Sequence, residues 1–168
     1  MTLNSEVAQS AHLQEADLRG YVIHATKEVF ATMVMMEVED SAPLQEPINK
    51  FHCSITGMVG LAGTYTGILS IHCPKHFAMA VTSNMLGMDV DEVGEDVNDA
   101  LGEIANMLGG YVKQVLSKGG LDISLSIPTV ISGDEYTINS FTDSDCVLIP
   151  FTFGDETFMV GLKLSKES

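Results

Sequence analysis

The sequence has few basic residues, few cysteines and no long apolar run. Only 8 of its 168 residues are lysine or arginine, against 23 aspartates and glutamates, so the formal net charge is −15. A field of that sign repels nucleic-acid phosphates and anionic membrane surfaces. We therefore expect neither nucleic acid nor membrane as a partner, and an acidic protein partner would have to be held by short-range contacts without electrostatic steering.

The shortage of long apolar runs and of cysteine motifs also restricts where the protein works. No stretch reaches the roughly 18 apolar residues that a membrane helix needs, and the N-terminus lacks the basic and apolar regions of a signal peptide. Cys53, Cys73 and Cys146 cannot all pair within one chain, and none stands in a C-x-x-C motif. Reduced thiols in the cytoplasm are the simplest interpretation.

The remaining composition is that of one folded domain. A chain of 168 residues with 45% hydrophobic and 18% charged residues can form a hydrophobic core of ordinary size. We expect residues 1–15 to be a flexible polar segment, and residues 16–168 to form the domain.

Hydrophobic periodicity predicts the element order α-β-β-α-α-β-β-β-β. Residues 17–38 form the first predicted helix, with apolar positions at helical spacing: Leu18, Val22, Ala25, Val29, Met33 and Met36. Pro74 and Gly87 mark the start and end of a short second helix. The predicted strands cover about 50–60, 64–73, 121–127, 136–139 and 146–164, where the last range is a hairpin turning at Gly154-Asp155.

These strands come in hairpins, which favours an α+β domain: a largely antiparallel sheet with the long helices packed on one face. Leu121, Ile123, Leu125 and Ile127 alternate with Asp122, Ser124 and Ser126, which predicts a strand with one buried face. Pro128 is expected at an edge or a bulge, and Gly133-Asp134 is expected to turn the chain between two strands.

The strongest helical pattern, over about 95–117, has two opposite stripes. The apolar stripe should face the sheet and contains Val97, Leu101, Ile104, Leu108, Val112 and Val115. The other stripe, called the polar ridge below, consists of Asp99, Glu103, Asn106, Gly110 and Lys113. Spacings of four and three residues make neighbours of the first three ridge side chains.

Two features of the polar ridge are unusual for a helix that only faces water. Gly109-Gly110 lies inside the helix, where each glycine costs roughly 1 kcal/mol relative to alanine, but glycine allows another group to approach closely. Asn106 is also a poor choice within a helix, because its amide competes with the backbone. A solvated face nevertheless remains the simplest explanation, since the spacing Glu-x-x-Asn alone does not identify a function.

The segment Asp99-Ala-Leu-Gly-Glu103-Ile-Ala-Asn106-Met-Leu-Gly-Gly resembles the signature of the CheX/CheC/FliY chemotaxis phosphatases, Asp/Ser-x3-Glu-x2-Asn. The resemblance covers about residues 20–165 and is closer to CheX than to CheC. It includes the first helix from Ile23 to Met33, Gly57-Met-Val-Gly-Leu-Ala-Gly63 before Gly67-Ile-Leu-Ser, and Ile127-Pro-Thr-Val-Ile131. CheC carries two such motifs, but here Ala31 stands three residues after Glu28, so one site per chain is expected.

The resemblance implies a phosphatase that acts on the aspartyl phosphate of a response-regulator receiver domain, such as phospho-CheY. It implies that Asn106 holds a water in line with the phosphorus, that Glu103 pairs with the receiver's lysine, and that Asp99 has a lesser role. Gly102 and Gly110 would let the receiver press against the helix. The resemblance also implies a homodimer, with no cofactor in this chain and Mg²⁺ in the receiver.

Two other functional hypotheses remain open. A non-catalytic adaptor could hold a receiver through the same ridge, or the chain could be a purely structural dimer module. Met33, Met35 and Met36 crowd one turn, and a place in the core is favoured over a plastic partner-binding surface.

A shared metal ion is a further candidate. His52 and His72 would lie opposite one another if the first hairpin turned at Ala62. Two imidazoles without a convergent third ligand are weak support, so half-buried strand positions are preferred, and no metal site is predicted.

Overall fold

An antiparallel sheet covered on one face by helices forms the domain. The computed structural model describes residues 15–42, 44, 48–116, 122–138 and 146–166, without the side chains of 15–18 and 166. Within that part of the chain, the helices are α1 (Glu15–Val29), α2 (Lys75–Leu86) and α3 (Glu95–Leu116). The strands are β1 (Glu39–Asp40), β2 (Lys50–Gly63), β3 (Tyr65–Pro74), β4 (Ile123–Leu125), β5 (Thr129–Thr137), β6 (Cys146–Phe153) and β7 (Glu156–Lys166).

The strands form one sheet in the order β1-β6-β7-β3-β2, and β4 and β5 both pair with the outer side of β2. Each of the pairings is antiparallel. The predicted α+β class and element order are confirmed, with the two-residue strand β1 in addition. The flexible segment expected at residues 1–15 lies outside the described residues, apart from Glu15 at the start of α1.

Several predicted boundaries are confirmed. Helix α2 follows Pro74 and ends at Gly87, which has a left-handed backbone with φ 69°. The last hairpin turns at Gly154-Asp155 as predicted, with a positive φ of 59° at Gly154. None of the described helices is long and apolar enough to cross a membrane.

The first helix ends earlier than predicted, and the reason is a π turn. Helix α1 passes at Val29 into one π-helical turn, Phe30–Val34, which ends at Met35 with a left-handed φ of 61°. A π turn adds a residue to the helical repeat and so moves the buried stripe. Met36 is buried, but Met33 and Met35 are 38% and 74% exposed, so the prediction of a core position was wrong for these two.

The first hairpin turns two residues later than the metal hypothesis requires. Strand β2 continues to Gly63, which has φ 136°, and the turn is centred on Thr64. The resulting register places Thr56 opposite His72, whereas His52 pairs with Glu135 of β5.

The region after α3 also differs from the prediction. Strand β4 covers only Ile123–Leu125, and β5 runs through Gly133 without turning, because Gly133 pairs with Ser54 inside the β2–β5 ladder. The predicted turn at Gly133-Asp134 was therefore wrong. The strand predicted over about 121–127 was expected to bury one face, and this expectation fails at Ile127, which is exposed.

Helix α3 lies directly on β2, and this contact orients the polar ridge. A Cβ at Gly57 of β2 would lie 2.7 Å from the carbonyl oxygen of Leu101, so only glycine permits this approach. The predicted apolar stripe is buried against the sheet, with Val115 half-buried at its end: Val97, Leu101, Ile104, Leu108 and Val112. The opposite side of α3 consequently points away from the sheet.

Candidate functional site

The polar ridge is accessible from outside. Asp99 and Glu103 are exposed and Asn106 is half-buried, while Leu101 and Ile104 between them have no exposed surface. Among the described residues, no ion pair involves either ridge carboxylate. The predicted orientation is confirmed, and the two carboxylates and the amide are available to a partner.

Charge is distributed unevenly along α3. Glu95 and Asp96 occupy its first turn, where carboxylates interact favourably with the helix dipole, and Lys113 lies near its end. Asp99 and Glu103 extend this negative charge along the ridge, and Asn106 follows as a neutral donor and acceptor. The carboxylates of Asp99 and Glu103 can therefore attract a cationic group, and the neighbouring Asn106 amide can orient a polar molecule.

An open groove runs beside the ridge. Helix α3 contributes one wall with Asn98, Asp99, Gly102 and Glu103. The other wall consists of Ile127 and Pro128 in the connection from β4 to β5 and of Val130 at the start of β5. The sequence prediction included only the helical wall. The Ile127-Pro128 pair could have indicated the second wall. However, Ile127 continues the apolar alternation of Ile123 and Leu125, which indicated a buried strand position instead.

Two glycines predicted to meet a partner have different surroundings. Gly102 is buried beneath the chain itself, since a Cβ there would lie 3.5 Å from Pro128 Cβ and 3.6 Å from Val130 Cγ2. Gly110 is half-buried and would present a Cβ to open space, with nothing within 4 Å. Gly102 thus lies where the helical wall of the groove contacts Pro128 and Val130 of the other wall, and Gly110 leaves the ridge surface free.

Gly109 has a structural explanation. A Cβ at this position would come within 2.7 Å of Val59 Cγ1 on β2. The first glycine of the pair therefore allows α3 to pack on the sheet, and only the second remains unexplained by packing within the described chain.

The two histidines do not form a metal site. His52 is exposed, whereas His72 is buried, with Nδ1 2.8 Å from Thr56 Oγ1 and Nε2 2.7 Å from Ser70 Oγ. Burial lowers the pKa of His72 to about 3, which keeps the ring neutral. Across the described ranges, no group of three or more histidine, cysteine or acidic side chains is placed to hold a metal ion.

None of the three cysteines belongs to the polar ridge or lines the groove beside it. No disulfide joins Cys53, Cys73 and Cys146, and Cys73 and Cys146 are buried. Burial raises the pKa of the Cys73 thiol, which disfavours the nucleophilic thiolate.

Comparison with known proteins gives the chain its relatives. The family model for the chemotaxis phosphatase CheX matches residues 55–152, more than half of the chain, and this range contains the whole polar ridge. The CheY-P phosphatase CheX of Thermotoga maritima is 32% identical over 89 residues, which are 52% of this chain and 57% of that protein. The match therefore spans little more than half the length of that relative.

Solved structures agree with the family match. The chemotaxis protein CheX of Desulfovibrio desulfuricans has a TM-score of 0.77 and 31% identity, covering 88% of this chain and 99% of that one. The CheX–CheY–BeF3–Mg²⁺ complex of Borrelia burgdorferi matches with a TM-score of 0.76 over 89% of this chain and 99% of the matched chain, and at 22% identity it shows the shared fold. The chain belongs to the CheX family of chemotaxis phosphatases.

Proposed function

We propose that this protein hydrolyses the aspartyl phosphate of a CheY-like receiver domain, and that the polar ridge of α3 enters the receiver's active site. The observation that carries the proposal is the accessible pair Glu103 and Asn106 on a helix fixed to the sheet. The relative from Thermotoga maritima is a CheY-P phosphatase, and the relative from Borrelia burgdorferi forms a complex with CheY, which supports the same partner class here.

The reaction suits an amide. Water attacks phosphorus, the bond from phosphorus to the aspartate oxygen breaks, and the products are inorganic phosphate and the free carboxylate. An acyl phosphate has a good leaving group, so positioning the water supplies most of the rate gain. The Asn106 carboxamide can accept from or donate to that water, and being neutral it does not repel the phosphoryl oxygens.

Glu103 would fix the docking. Its carboxylate lies one turn from Asn106, and an ion pair with the receiver's lysine would set the register of the amide over the phosphorus. Asp99, one further turn away, would act at the edge of the same contact. In this proposal Mg²⁺ belongs to the receiver and this chain holds no cofactor, and the homodimer and the cytoplasmic location stay predictions.

Asn106→Ala tests the mechanism. We expect decay of the phosphorylated receiver to slow on the order of 10²-fold at saturating variant protein, comparable to the loss of one preorganised polar group in other active sites. Binding to a receiver carrying beryllofluoride should change little, because the amide acts chiefly in the transition state. Asn106→Asp should be no better, since its carboxylate meets the phosphoryl oxygens with like charge.

Gln114→Ala is the matched control, because it removes an exposed carboxamide from the same helix two turns away. If the phosphorylated receiver decays as fast with Asn106→Ala as with this control, the mechanism is wrong. If the parent protein binds receivers and accelerates none, the adaptor hypothesis replaces the phosphatase. If it neither binds nor accelerates any receiver of a panel, the structural dimer module remains.

A further inference from the structure

The groove beside the ridge carries an isoleucine that is almost fully exposed. Ile127 is 88% exposed, more than any other large apolar side chain among the described residues. It lines the same groove as Asp99 and Glu103, from the opposite wall. A single exposed apolar residue needs no explanation on an ordinary surface, but this one stands next to the proposed reaction site.

The backbone around Ile127 is held on both sides, so its exposure does not come from a loose loop. Before it, the Ser126 amide donates to Gly60 O at 2.9 Å, and the Gly60 amide donates to Ser126 Oγ at 2.8 Å. After it, β5 begins at Thr129, which pairs with Met58 of the same strand β2. Both anchors therefore lie on β2, the strand that also supports α3.

Pro128 restricts this segment further. Its ring fixes its own φ and limits the backbone of Ile127 to extended conformations. The space left by Gly102 seats Pro128 against α3, with 3.5 Å between Pro128 Cβ and the position of a Cβ at Gly102. A side chain presented from so restricted a backbone loses little conformational entropy when a partner covers it.

We propose that Ile127 is an apolar contact for the receiver domain and sets much of the affinity for it, an inference that rests on the proposed function. The polar ridge cannot supply that affinity alone, because an ion pair at an accessible surface contributes little. A chain with a net charge of −15 also gains no steering toward an acidic receiver surface. The fitting partner thus carries an apolar depression beside its active-site lysine.

The test compares Ile127→Asp with Ile127→Leu in two assays on a panel of receivers. Titration of the beryllofluoride-loaded receiver measures affinity, and decay of the phosphorylated receiver separates the half-saturating concentration from the maximal rate. We expect Ile127→Asp to weaken binding and raise the half-saturating concentration about tenfold or more, the scale of burying a large aliphatic side chain. The maximal rate should stay near that of the parent, and Ile127→Leu should retain most of the affinity.

Met88→Asp is the matched control: it adds the same charge at a side chain that is 59% exposed in a different groove. The inference is overturned if Ile127→Asp binds as well as this control, or if it lowers the maximal rate without changing affinity. It is also overturned if Ile127→Asp alone changes the apparent mass of the protein in solution, since the isoleucine would then join two copies of this chain. A parent that binds receivers without dephosphorylating them refutes the proposed activity, while the affinity of Ile127→Asp still decides the role of Ile127.

Discussion

Single residues carry the proposed chemistry, and their orientation follows from spacing alone. Glu103 and Asn106 face outward because Leu101, Ile104 and Leu108 must face the sheet, and the structure places all five side chains as predicted. The roles of the two polar residues were inferred from resemblance to a family. Their spacing alone does not identify a function, because a carboxylate and an amide three residues apart can contact many kinds of partner. Their catalytic roles stay predictions.

Ile127 marks where sequence reasoning at this scale failed. It continues the alternation of Ile123 and Leu125, so it was expected on the buried side of a strand. The β4 ladder instead ends after Leu125, because the Gly60 amide donates to the Ser126 side-chain hydroxyl, while the Ser126 amide donates to Gly60 O. Periodicity indicates which residues alternate, but only the pairing partner decides where the alternation ends.

Glu103→Lys tests the docking role. The substitution places a positive charge opposite the receiver's lysine, so we expect productive binding to be abolished. The free energy of unfolding should change little, because the side chain is exposed and has no ion pair among the described residues. Receiver decay at increasing variant concentration, together with urea denaturation, measures both effects.

Glu92→Lys makes the same change of net charge in the loop before α3, at an exposed residue outside the ridge groove. This control should bind and dephosphorylate the receiver nearly as the parent does. Normal dephosphorylation by Glu103→Lys would show that Glu103 is not the partner of the receiver's lysine.

At the scale of elements, helix and strand types were predictable and their connections were less so. Helix α3 has a long uninterrupted pattern with an acidic first turn, so its bounds follow closely from the sequence. The end of α1 does not, because no local sequence signal predicted the π turn at Phe30–Val34, whose Phe30 and Val34 side chains are buried in the core. The register of β2 likewise depends on Gly63 and its positive φ.

The glycine pair of α3 gives a prediction for the element as a whole. Gly109→Ala should lower the free energy of unfolding by about 1–3 kcal/mol, because its Cβ would overlap the stiff, buried side chain of Val59. Gly110→Ala should raise it by up to about 1 kcal/mol, because alanine favours the helix and meets nothing. Urea denaturation of the two variants measures the difference.

The same pair separates packing from partner contact. If Gly110 touches the receiver, Gly110→Ala should bind the beryllofluoride-loaded receiver more weakly even though its fold is more stable. Equal stability of the two alanine variants would contradict the close packing of α3 on β2. Unchanged affinity would remove Gly110 from the interface.

For the whole molecule, the α+β class, the antiparallel sheet and the helical layer were all predictable, because each depends on patterns longer than ten residues. The opposite face of the sheet was not. There Phe51, Ile138 and Cys146 form a second, smaller cluster, and the Phe51 ring stacks on His72 with centroids 4.4 Å apart. This cluster joins strands that are distant in sequence, so no local sequence pattern predicts it.

The His72 network should make the stability of the whole fold depend on pH. Ile71 and Cys73 belong to the helical side of the sheet, so His72 points into the second cluster. Its hydrogen bonds to Thr56 and Ser70 hold a neutral ring, and Tyr136 bonds to the same Thr56 hydroxyl at 2.7 Å. The folded state therefore favours the neutral form of this histidine.

The sign follows from the pKa in the two states. Burial lowers the pKa of His72 in the folded protein to about 3, whereas a histidine in the unfolded chain has its ordinary pKa of 6.5. Between these two values only the unfolded chain binds the proton. Stability is then greatest above pH 6.5 and is lost as the pH falls toward 3, with a slope approaching about 1.4 kcal/mol per pH unit. Between pH 7 and 5.5, above the range of ordinary carboxylates, we expect a loss of about 1 kcal/mol from this residue.

Urea denaturation at the two pH values should show that loss in the parent and in His24→Gln, a control at an exposed histidine. His72→Gln keeps hydrogen-bonding groups and should lose the dependence, even if it is less stable at both pH values. A parallel decline in His72→Gln would mean that other groups cause it, and an imidazole resonance of folded His72 that titrates near pH 6.5 would contradict its burial as a neutral ring.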